Sequence, residues 1–191
     1  MNLKLILLLM LFPSMCLSSD TKSESTNEPT SEFVVWKDLK EMEPLKAAWD
    51  FNFDNPEDVH RALNPIVFAI NANSEYGPLS LDPMPNVVVS HGAEAVIWAK
   101  KNYKQFKEVI DRARRMHEMG VRFEVCNIVA QAHGFDTDDY HDFIKVVPTG
   151  SYALVYWANK GYAVIPAGST TPVRAVNEHN RKYLGKNKTD G

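Results

Sequence analysis

Residues Val121 to Gly134 read "VRFEVCNIVAQAHG". The first five residues alternate apolar and polar, the period of a half-buried strand. "NIVAQAHG" then reads as a short helix, with Gly134 in the usual stop position. A strand that runs straight into a helix is half of a β-α-β unit, and the sequence on either side repeats the pattern. Upstream, "NVVVSHG" (Asn86 to Gly92) is a short apolar strand of the kind buried on both faces of a parallel sheet. An amphipathic helix follows it, with Tyr103, Phe106, Ile110, Ala113 and Met116 on one stripe, and stops at Gly120. Downstream, "IKVVP" is a fourth strand. "TGSYALVYWANKG" is a helix capped by Thr149 or Ser151 and stopped at Gly161, and "YAVIPA" is a fifth strand.

Ahead of these, Ala48 to Phe53 reads as the first strand, and "DNPED" offers a capping Asp or Asn with Pro56 at a first helical position. Val59, Leu63, Ile66, Val67 and Ile70 keep helical spacing, so one helix is expected to about Asn73, bent at Pro65. "SEYGPLSLDPMP" is a loop and "FDTDDYHDF" a polar turn or short helix. The order strand, helix, four times over and closing on a strand implies right-handed crossovers and a sheet covered on both faces. The expected fold is α/β, a flavodoxin-like three-layer α/β/α domain over residues 45–167 with a five-stranded parallel sheet. No internal repeat is present.

The ends read differently. "MNLKLILLLMLFPSMCLSSD" has Lys4, an apolar run from Leu5 to Phe12 and small residues before a cleavage point after Ser18, the layout of a secretory signal too short to span a bilayer. Export is therefore expected, to a periplasmic location. Anchoring through an acylated Cys16 is disfavoured, because Pro13, Ser14 and Met15 are a poor setting for it. Residues 19–44 form a Ser, Thr and Glu-rich leader and linker, and residues 168–191 a polar tail, both with little to bury. With 21 Lys plus Arg against 24 Asp plus Glu, the net charge of −3 leaves no electrostatic footprint for nucleic acid or an anionic membrane.

Cleavage after Ser18 would remove Cys16 and leave one thiol, Cys126. An odd cysteine in an exported chain is either a reactive or intermolecularly paired thiol or a buried, inert hydrophobe. In open parallel sheets ligands gather beyond the carboxyl ends of the strands. Those ends carry Asn52 and Asp54, then Ser90, His91 and Gly92, then Cys126 and Asn127, then Thr149 to Ser151. Cys126 also stands at a helix start, where unpaired N–H groups favour a thiolate. Strand alternation groups it with Arg122 and Glu124, on the side expected to be wetter. His91 is the rim imidazole able to hold a proton or stabilise that thiolate, and otherwise satisfies a turn. His133, at the end of the same helix, ranks below it. "HGFDTDDYHD" is rich in His133, Asp136, Asp138, Asp139, His141 and Asp142, yet matches no zinc or calcium spacing and reads as a solvated turn, so no metal is expected. "HGAEA" has one glycine where a dinucleotide fingerprint needs three, so no cofactor is expected either.

Taken together, "DNPEDVHRAL", "VVVSHG", "MGVRFEVCN" and "VVPTGSYALVYWANKGYAVIPA" resemble the DsrE/DsrF-like family, in particular its exported single-domain members, over roughly Leu45 to Ala167. The resemblance implies a flavodoxin-like domain that self-associates into trimers or hexamers. It also implies a part in sulfur oxidation or sulfur relay, in which a cysteine after the third strand carries sulfane sulfur as a persulfide. That role falls on Cys126, with a sulfur donor or acceptor protein as partner. His91 lies in the "HG" motif that similar sequences share, without an assigned role. Relay members work in the cytoplasm as hetero-oligomers, whereas this chain reads as exported. The alternative is a non-catalytic oligomeric module, with Trp98, Tyr152, Tyr156 and Trp157 lining an interface or a pocket.

Overall fold

The computed structural model describes residues 37–77 and 84–168. The expected signal, most of the leader and the tail after Gly168 lie outside the described residues. What is described of the leader includes a 3₁₀ turn at Lys37–Lys40.

Five strands form the sheet: β1 Ala47–Phe51, β2 Asn86–Ser90, β3 Arg122–Cys126, β4 Ile144–Val147 and β5 Ala163–Pro166. Every neighbouring pair is parallel and the spatial order is β4-β3-β2-β1-β5. Four helices connect them: α1 Val59–Tyr76, α2 Tyr103–Glu118, α3 Asn127–Ala132 and α4 Gly150–Asn159. This is the expected three-layer parallel architecture. The winding proceeds in one direction from β1 to β4 and reverses once, when the chain returns across the sheet to lay β5 beside β1.

That single reversal distributes the helices. A right-handed crossover puts its helix on the face fixed by the direction of travel, so α1, α2 and α3 share one face and α4 takes the other alone. The buried residues follow this division. Trp49, Phe51, Val88, Phe123, Val125 and Ile144 point into a large core with Leu63 and Ile66 of α1, Ile110 and Met116 of α2 and Ala130 of α3. On the reverse face Ala48, Val87 and Val89 meet Ala153 and Trp157 of α4, with Val147, Leu154 and Tyr162 packed at the margin. The second face is thinly covered, and along β5 Ala163, Val164 and Pro166 remain exposed.

Local chemistry explains most element ends. Thr149 caps α4, its Oγ1 accepting from the Tyr152 N–H at 3.0 Å. Gly120 and Gly134, both at positive φ, follow the ends of α2 and α3. Pro65 sits inside α1 on its exposed side, and the carbonyl it frees belongs to exposed Arg61, where water can satisfy it. α1 runs on to Tyr76, past the expected end at Asn73. Asn55 precedes the 3₁₀ turn Pro56–Asp58 that leads into α1, but makes no side-chain cap bond. The amphipathic helix does not start directly after β2. A 3₁₀ segment, Ala93–Trp98, comes first with all six residues buried. Being apolar on every side apart from Glu94, it packs inside, and the charged stripe begins only beyond it.

Candidate active site at the carboxyl rim

The strand register brings the two expected site residues together. Ser90 of β2 pairs with Val125 of β3, and Cys126 pairs with Val147 of β4. One residue further along each chain, His91 and Cys126 follow as neighbours on adjacent strands, whose spacing is about 4.8 Å. Two residues earlier Val89 and Glu124 are paired and face α4, Val89 packing in the α4 cluster and Glu124 accepting from the Trp157 indole at 2.9 Å. The alternation of side chains therefore sends His91 and Cys126 off that same face.

His91 is held from two sides. Its Nε2 lies 2.6 Å from Oδ1 of Asp50, one pleat back on β1. Its ring packs against Gly150, the first residue of α4, so tightly that a Cβ there would come within 2.5 Å of the His91 Cβ. Burial alone would lower the imidazole's pKa. The hydrogen bond to Asp50 and the charges of Asp50 and Glu94 outweigh it, and the imidazolium persists above the usual histidine range.

Cys126 ends β3 and precedes α3, with an extended backbone (φ −66°, ψ 119°). It is a free thiol, and it is buried, with 4% of its surface exposed. The expected wetter side is thus corrected. Arg122, Glu124 and Cys126 do alternate onto one face, but Glu124 is covered by Trp157 of α4 and Cys126 is buried at the strand's end, so only Arg122, at the start of the strand, stays exposed. Its guanidinium lies 5.0 Å from the centre of the Trp157 ring.

Sequence reading passed over Asp50 and Glu94. Glu94 is fully buried in the 3₁₀ segment. Its Oε2 accepts from the Phe53 N–H at 2.9 Å and its Oε1 from the Gly92 N–H at 3.0 Å, tying the chain beyond β1 to the chain beyond β2. Gly92 makes the room, since a Cβ there would lie 2.4 Å from Glu94 Oε2. Burial pushes the carboxyl up to about 7, against the pull of the backbone N–H groups. The signal was present in the sequence as one acid inside an apolar run, "AEAVIW", directly after "HG", and as the lone charge in "AAWDF".

The remaining candidates separate. His133 follows α3 as expected but is buried, its Nδ1 unpartnered, and burial lowers its pKa to about 4. In the acid-rich stretch Asp136 and Asp139 form a capping box, Asp142 pairs with Arg114 at 2.9 Å, and the His141 ring sits against Tyr103 and Phe143. These contacts turn the acids and histidines to separate tasks, and among the described residues no three His, Cys, Asp or Glu side chains are grouped to hold a metal. Trp98 is core, donating to Ser90 Oγ at 2.9 Å, and Trp157 is buried under α4, whereas Tyr152 and Tyr156 lie exposed on its outer side. No helix among the described residues is long and apolar enough to cross a membrane.

The fold and rim define a three-layer parallel α/β protein with a thiol at the end of its third strand. Comparison with known families matches residues 55–167, more than half of the chain, to the DsrE/DsrF-like family. The chain belongs to that family, which is associated with sulfur metabolism. Among solved structures it is similar to a protein of unknown function, MTH1491 from Methanobacterium thermoautotrophicum, at 19% identity and a TM-score of 0.50, covering 64% of this chain and 98% of that one. A second, the conserved protein of unknown function BT1422 from Bacteroides thetaiotaomicron, matches at 15% identity and a TM-score of 0.42, covering 63% and 93%. A search of curated proteins returns no match.

Proposed function

We propose that the protein is a sulfur carrier in which Cys126 accepts sulfane sulfur, holds it as a persulfide and yields it to an acceptor thiol. The observation that carries this reading is the position of Cys126, a free cysteine closing β3 beside His91 at the rim of a DsrE/DsrF-like domain. With thiosulfate as donor, the Cys126 thiolate attacks the outer sulfur and the S–S bond to the sulfonate breaks, giving the Cys126 persulfide anion and sulfite. An acceptor thiolate then attacks the outer sulfur of the protonated persulfide, which returns Cys126 as thiolate and leaves the persulfide on the acceptor. His91, held by Asp50 and kept charged above the usual histidine range, supports the reading, because it places a proton donor at the same rim as the thiol. The exposed Tyr152, Val155 and Tyr156 on α4 support self-association, and the signal-like N-terminus supports a periplasmic site of action.

The test is intact mass of the protein after incubation with thiosulfate or polysulfide. One added sulfur atom is expected in the wild type and none in Cys126→Ser. No addition to the wild type, or the same addition to the variant, sinks the proposal. The burial of Cys126 favours a second reading, a non-catalytic module with an inert thiol. Titration with a thiol reagent separates the two: an inert cysteine reacts only on global unfolding, a carrier cysteine in the native state through local opening.

A further inference from the structure

We propose that Glu94 is a positioning residue of this site: its buried carboxylate clips the ends of β1 and β2 together and fixes the placement and charge of the Asp50–His91 pair beside Cys126. The inference rests on the carrier reading for its functional consequence, though not for its physical content. Glu94 has no exposed surface, and both of its oxygens are engaged by backbone N–H groups from the two chain segments that flank His91. The His91 N–H itself donates to the Phe51 carbonyl at 3.0 Å, and the Ala93 N–H to the Phe53 carbonyl at 2.8 Å. The loop that presents the imidazole is therefore pinned to β1 before and after His91, and Glu94 adds a carboxylate to that seam.

Both bonds come from N–H donors, so both oxygens of Glu94 must accept, which a carboxylate does and an amide, with its single acceptor oxygen, does not. A carboxylate taken fully out of water is expensive unless a nearby charge or dipole compensates it. The charged partner here is His91, which in turn feels Asp50 and Glu94 as its two anions. Asp50 makes the direct bond, while Glu94 acts through charge and through the backbone. The carboxyl's rise to about 7 adds that it exchanges its proton in the range where a thiol carrier works. As Glu94 ionises it supplies the second anion that keeps His91 charged at the rim it shares with Cys126.

The experiment begins with the wild type, following the Glu94 side-chain carboxyl and the His91 ring by NMR across pH. A step in the His91 curve coincident with Glu94 ionisation is expected, and its absence overturns the inference. In Glu94→Gln, shown to be folded by circular dichroism, the His91 midpoint moves to lower pH and sulfur loading at neutral pH falls severalfold. In Glu94→Asp, which keeps the charge and shortens the clip, the midpoint stays closer to the wild type. A folded Glu94→Gln with an unchanged His91 midpoint leaves Glu94 as a backbone clip only and also overturns it. If the wild type takes up no sulfur while the coupled titration is present, the carrier reading fails and the role of Glu94 in setting His91 stands.

Discussion

The two faces of the sheet are built to different standards. On one, three helices and the 3₁₀ segment cover an interlocked core in which Phe123 meets Trp98 and Phe143 at ring distances of 5.5 and 5.9 Å. On the other, one helix of ten residues lies over Ala48, Val87 and Val89. That face also carries Asp50, Arg122, Glu124 and Lys145, with His91 and Cys126 at its rim. The charges of the strands themselves are thus gathered on the thinly covered face, whereas buried Glu94 and His133 belong to the segments on the thick side. The thick face supplies the packing and the thin face the charged rim.

The sharpest way to break this contrast is to remove a ring from the thick face. Phe123 has 1% of its surface exposed, and Phe123→Ala should cost about 3–5 kcal/mol, the loss of the ring plus the cavity it leaves. Urea unfolding measures it. A loss under about 1 kcal/mol would mean that this core collapses readily around a void and that the thick face does not anchor the domain.

Next in size are two titrating groups on the thick side whose effects oppose one another. Glu94 rises from 4.5 to about 7 on folding, so the folded state holds the extra proton between those values. Stability on the order of 3 kcal/mol is present below pH 4.5 and is lost as pH rises through 7. His133 falls from 6.5 to about 4, so here the unfolded state holds the extra proton. A contribution of similar size is present above pH 6.5 and is lost as pH falls through 4. In the wild type the two slopes offset each other between about pH 4.5 and 6.5. Above that, Glu94 and the raised His91 both make stability decline with pH. Glu94→Gln should unmask a stability that rises from pH 4 to 6.5, and His133→Gln one that falls from 4.5 to 7. Denaturant midpoints across pH read both, and a flat profile in either variant would remove that group from the balance.

These groups also mark where the sequence was legible and where it was not. The strands, the parallel order, the cap at Thr149 and the stops at Gly120 and Gly134 could be read because each is local: periodicity, a hydroxyl, a missing side chain. The rim positions of His91 and Cys126 could be read too, since strand ends are local. The burial of Cys126 could not, because it depends on what the chain brings to the end of β3 from elsewhere in the sequence. Glu94 and Asp50 escaped for a related reason. A lone acid in an apolar run acquires meaning only when strands 41 residues apart in sequence bring Asp50 to His91 and Phe53 to Glu94. The late start of α2 belongs to the same class, because a 3₁₀ turn buried on every side carries no amphipathic pattern.

On the thin face a smaller effect is expected from Trp157→Phe. It keeps most of the ring but removes the indole N–H that Glu124 accepts at 2.9 Å, leaving a half-paired carboxylate whose pKa burial already raises. The loss should be about 1–3 kcal/mol and should shrink in acid, where Glu124 is protonated and needs the donor less. A loss independent of pH would assign the role of Trp157 to packing and to the guanidinium of Arg122 over its ring.

The smallest effect on the monomer is the most informative about assembly. Tyr152, on the outer side of α4, has 66% of its surface exposed. Its backbone N–H serves the Thr149 cap, which a substitution of the side chain leaves in place. Tyr152→Ser should therefore change unfolding free energy by no more than about 0.5 kcal/mol, as for other surface positions. With Val155 and Tyr156 it forms an apolar strip on the one helix of the thin face, so the same change should weaken self-association measurably by sedimentation velocity. If the variant associates as the wild type does, self-association uses another surface. If the wild type sediments as a monomer, the strip is not a self-interface, and α4 covers its face of the sheet without help from a second copy.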